Sequence, residues 1–74
     1  MRPQSTFRFK RELILPLFLR RRESVGRVAR RAGCHPATVA RAVNGEPIGA
    51  DSVDKIARAL DFDAVTFLTE PEQA

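Results

Sequence analysis

Arginine is the residue whose type and spacing suggest chemistry. Of thirteen Lys and Arg residues, eleven are Arg. A guanidinium offers a planar fork of N–H donors that fits phosphate two bonds at a time. Arg20, Arg21 and Arg22 form a run, and Arg27, Arg30 and Arg31 recur at i, i+3 and i+4, one edge of a helix. Residues 1–45 hold eleven basic side chains and two acids, net +9; residues 46–74 hold two and seven, net −5, which together return the formal +4. Such a polarised chain draws its basic half to a polyanion and turns its acidic half away. The plainer readings are ordinary solvated charge and a GC-rich genome. Catalysis fails on inventory. One His beside one Cys (His35, Cys34) gives neither a triad nor a metal ligand set. Asp61 and Asp63 flank helix ends, and no Gly-rich phosphate loop is present. No enzyme activity, metal, cofactor or small-molecule substrate is expected.

The arginines need a scaffold, and residues 24–45 supply it. Ser24 is a hydroxyl side chain suited to capping a helix that carries Val28, Ala29 and Ala32 on one face. Gly33 ends that helix, because a left-handed residue is needed and glycine adopts it without a Cβ clash. Pro36 suits the first position of a second helix, with His35 as its cap. Val39, Ala42 and Val43 form its apolar stripe, and Asn44-Gly45 closes it. Ala29 is small where two helices would cross closely, while Cys34 and Val39 would fill the space between them. This is the spacing of a helix-turn-helix, whose second helix protrudes.

The segment resembles the helix-turn-helix of the phage Cro/repressor (lambda-repressor-like) family. Thr38 to Asn44 also resembles the recognition helix of the lactose-repressor family. Lys55-Ile56-Ala57-Arg58-Ala59-Leu60 followed by Asp61-Phe62-Asp63 is similar to the fourth and fifth helices of the first family, so the likeness runs over about residues 25–68. It implies an all-α, compact bundle of four to five short helices. It also implies a DNA-binding transcriptional regulator whose second motif helix enters the major groove. Carried over by register, the base-contacting positions are His35, Pro36, Ala37, Thr38 and Arg41. Arg41 leads, since it can donate twice to guanine O6 and N7. Arg20, Arg21, Arg22, Arg27, Arg30, Arg31 and Asn44 are expected at the DNA backbone. Three positions depart from the family. Val25 stands where Gln commonly grips a phosphate. Glu46 stands in a loop that is often basic. Asp61 stands where Gly usually follows the helix.

Seventy-four residues allow one small domain, read as residues 7–69 with the motif at 25–45. Residues 1–6 read as a flexible arm and 70–74 as an acidic tail. A lone Cys and the lack of a membrane-length apolar run or signal peptide point to a reducing, cytoplasmic setting. Residues 7–23 are ambiguous. Phe9, Leu13 and Leu17 fit a helix, with Ile14 meeting Phe18, but Pro16 interrupts it. A kinked helix, a helix restarting near Pro16, and an extended 7–15 segment all fit; the periodicity favours helix. A strand there would pair with its twin in a dimer. Val53, Ile56, Ala57 and Leu60 give a clear core stripe, and Asp63 caps a last short helix. The expected partners are double-stranded DNA and a second copy of the chain, because one such module makes few contacts. The rival reading is a protein-interaction module of antitoxin or anti-repressor type, motivated by the surplus of apolar residues over 13–19.

Overall fold

In the computed structural model, which describes residues 6–69, Ser24 has extended backbone and its Oγ accepts the Arg27 N–H at 3.2 Å. That bond satisfies a donor the first turn would leave open, so α2 (Val25–Ala32) starts there. Gly33, at φ +77°, ends it, with the N–H groups of Gly33 and Cys34 both donating to the Ala29 carbonyl. α3 (Pro36–Val43) follows, its first turn capped by His35, and Gly45 takes φ +78° beyond its end. The remaining helices among the described residues are α1 (Arg11–Arg20), α4 (Ala50–Leu60) and α5 (Ala64–Phe67). Two short strands, β1 (Thr6–Phe7) and β2 (Ile48–Gly49), pair antiparallel, with Phe7 opposite Ile48.

The motif helices cross on small side chains. Ala29 and Ala42 are buried with Val28 and Val39, so the two backbones approach closely. α4 packs behind them through Val53, Ile56 and Leu60, and α1 adds Ile14, Leu17 and Phe18. No charged or polar residue is buried among the described residues, so burial of apolar surface is the main force holding the helices together.

Residues 7–23 divide between the expected alternatives. Residues 6–10 are extended, and the helix then runs from Arg11 straight through Pro16. Pro16 lies on the exposed side, opposite Ile14, Leu17 and Phe18. The Glu12 carbonyl that loses its helical donor therefore faces water, which can bond it instead. Phe9 does not join the helical stripe, being buried from the extended segment, while Leu13, one turn before the buried Leu17, stays 36% exposed. The strand pairs inside its own chain rather than with a twin: β2 lies alongside it, and Phe9, two residues on, bridges Leu68. The Arg8 carbonyl accepts from the Thr69 N–H at 2.8 Å, and Phe9, Phe62 and Phe67 cluster beside it. Thr6, assigned by sequence to a flexible arm, belongs to β1. The rest of that arm, and the tail, lie outside the described residues.

Candidate nucleic-acid interface

α3 divides cleanly between an inner and an outer face. Val39 and Ala42 are fully buried, while Ala37, Arg41 and Asn44 are exposed at i, i+4 and i+7, forming one outward stripe. Thr38 flanks that stripe, half-buried, and Pro36 and His35 stand exposed at its head. His35 Nδ1 accepts the Ala37 N–H at 3.0 Å. In the neutral ring the proton must then sit on Nε2, which is left to donate outward. The five positions carried over as base-contacting thus run along α3 from its cap at His35 to Arg41 in its last turn. Arg41 supplies the planar donor pair, and Ala37 leaves room beside it.

The expected backbone-contacting arginines separate into groups. On α2, Arg27, Arg30 and Arg31 fall within an arc of about 100° opposite Val28 and Ala29, and all are exposed. Arg27 and Arg30 form no ion pair with a described residue. Arg31 is tied to Glu23 at 2.9 Å. At the end of α1, Arg20 and Arg22 are exposed, and Arg22 takes a left-handed φ of +54° to turn the chain toward α2. Arg21 has a structural partner that the sequence did not reveal. Its Nη1 donates to the Leu60 carbonyl at 2.6 Å, capping the negative end of α4.

The outer face of α4 is neutralised. Lys55 pairs with Asp51 and Arg58 with Asp54, each at 3.2 Å. A shallow groove between α2 and α4 is lined by these four and by Arg31, and each of its three cations is already paired, Arg31 with Glu23. Among the described residues, Arg20, Arg22, Arg27, Arg30 and Arg41 therefore remain without an ion-pair partner, as do Arg8, Lys10 and Arg11 on the N-terminal segment. Cys34, in the turn of the motif, packs partly against the core, and burial pushes its thiol pKa up while the Lys55 charge pulls it back only in part. It stays a neutral, small apolar side chain.

A protruding helix with a clamped inner side and an arginine-led outer stripe is DNA-reading geometry, and the family comparison agrees. Residues 17–68 match the model of the Cro/C1-type HTH DNA-binding domain. The chain belongs to this family. Neither a curated protein nor a solved structure matches it. The Cro/C1-type match covers α2 to α5 and the last four residues of α1, but leaves β1 and the rest of α1 outside. No helix among the described residues is long and apolar enough to cross a membrane. One cation escaped the sequence reading altogether: Arg11, which the fold places beside Gly45 at the end of α3. No local signal could have found it, since the two are 34 residues apart.

Proposed function

We propose that this Cro/C1-type domain is a sequence-specific transcriptional regulator, a small repressor acting in the cytoplasm of a bacterium or a phage-infected cell. It binds an inverted-repeat operator as a homodimer and blocks transcription by occupancy. The observation that carries this reading is the Ala37–Arg41–Asn44 stripe, exposed on a helix whose opposite side is fully buried. α3 enters the major groove. Arg41 donates to guanine O6 and N7, Thr38 and His35 Nε2 donate to base edges, and Pro36 and Ala37 offer apolar contact to thymine methyls. Arg20, Arg22, Arg27, Arg30 and Asn44 engage phosphates. Arg21 and Arg31 can add to this only through donors not used on Leu60 and Glu23. A single module of this size makes too few contacts for tight binding, and two half-sites about one DNA turn apart double them. Leu13 and Leu19, the latter 70% exposed, offer apolar surface for the second copy.

Selection of bound sequences from a random DNA pool tests the proposal. The expected result is a palindromic consensus, bound in a salt-sensitive complex. Arg41→Ala should cost about 1–3 kcal/mol of discrimination at one base pair of each half-site. Binding that ignores both salt and this change, or a stoichiometric protein partner with no retained DNA, would defeat it.

A further inference from the structure

Three features near the end of α3 have no explanation within the fold. The loop after α3 holds Glu46 and no cation of its own. Arg11 occupies the first position of α1, where a positive charge opposes the helix dipole. Its side chain is exposed and pairs with no acid among the described residues. Yet the fold brings these together. A Cβ at Gly45 would lie 3.5 Å from the Arg11 Cβ and 3.5 Å from the Phe9 carbonyl oxygen. β1, pairing with β2, straps residues 6–11 along the loop at 44–48. This strap lies outside the part of the chain that matches the family.

We infer that Arg11, delivered by the N-terminal strap, is a phosphate contact at the C-terminal end of α3, supplying the positive charge that the loop itself lacks. The inference rests on the DNA-binding reading above. Its ligand is a backbone phosphate of duplex DNA, next to the one Asn44 would reach. Such a contact carries no sequence information, so it anchors the far end of α3 while Arg41 reads bases. The strand pairing fixes the origin of the side chain, and the absence of an acidic partner among the described residues leaves the guanidinium available. The competing role is structural: Arg11 could do no more than steady the negative end of α3.

Fluorescence titration of two duplexes, the selected operator and a mixed-sequence control, separates these roles. Arg11→Ala should weaken binding to both duplexes by the same factor. The wild-type advantage should shrink about threefold between about 50 and 200 mM salt, the signature of one lost phosphate contact. Arg11→Lys should restore most of the affinity. Arg11→Glu is the sharpest arm: an acid at this helix position suits the dipole, so the melting temperature should hold or rise while DNA binding falls furthest. Arg58→Ala, on the neutralised face of α4, should bind like wild type. If wild type binds and the Arg11 variants match it in affinity and salt slope, the contact is wrong and the regulator reading survives. If binding falls only in step with melting temperature, Arg11 is structural and the inference fails. If wild type binds neither duplex at low salt, both readings fall.

Discussion

The α2–α3 pair and the α1–α4 pair solve the same problem by different means. Each motif helix has a side-chain cap, Ser24 or His35, and ends on a glycine with positive φ, Gly33 or Gly45. Neither α1 nor α4 has a side-chain cap at its N-terminus, and both end on a left-handed residue that is not glycine, Arg22 or Asp61. The hydrogen bonding at their ends is nonetheless the same. The Glu23 N–H donates to Phe18 and the Phe62 N–H to Ala57, just as the Cys34 N–H donates to Ala29 and the Glu46 N–H to Arg41. The motif is thus specified by local residues, while its supports are specified by what they bury: Ile14, Leu17 and Phe18 on α1, and Val53, Ile56 and Leu60 on α4. A helix whose outer face must meet a ligand keeps few large apolar side chains, so local signals must hold it in shape.

Three substitutions probe that contrast. Ile56→Ala, which truncates a fully buried side chain of α4, should cost about 3 kcal/mol. That is most of the stability of so small a domain, and circular dichroism would show a broad, low melt. Ser24→Ala removes one cap and should cost about 1 kcal/mol, lowering the melting temperature by about 4–8 °C. A larger loss at Ser24 than at Ile56 would reverse the assignment of local and tertiary control. Asp61→Gly relieves a left-handed φ of +57° and should stabilise the domain by about 0.5–1 kcal/mol in urea denaturation. A destabilised Asp61→Gly would mean that the aspartate contributes something the left-handed geometry does not explain.

The same contrast decides what could be read before the fold was known. Ser24, Gly33, Pro36 and Gly45 bound their helices at the expected places because caps and left-handed turns act within about five residues. The α4 stripe was legible for a similar reason, since Val53, Ile56, Ala57 and Leu60 repeat with the helical period. The outward position of Arg41 followed from the buried positions of Val39 and Ala42. The N-terminal segment was not legible. Its direction depends on Ile48 and Leu68, and short apolar runs fit helix or strand until their neighbours are known. Arg21 looked like one of a run of surface charges, but its partner at Leu60 is 39 residues away. Arg11 stayed hidden for the same reason.

The extended segment at residues 6–10 pairs in two successive stretches: Thr6 and Phe7 with Gly49 and Ile48, then Phe9 with Leu68. Its regular pairing is only two residues long, too short a strand for another polypeptide to template along. Runaway strand stacking, the usual hazard of an apolar β segment such as Phe7–Phe9, is discouraged by that shortness.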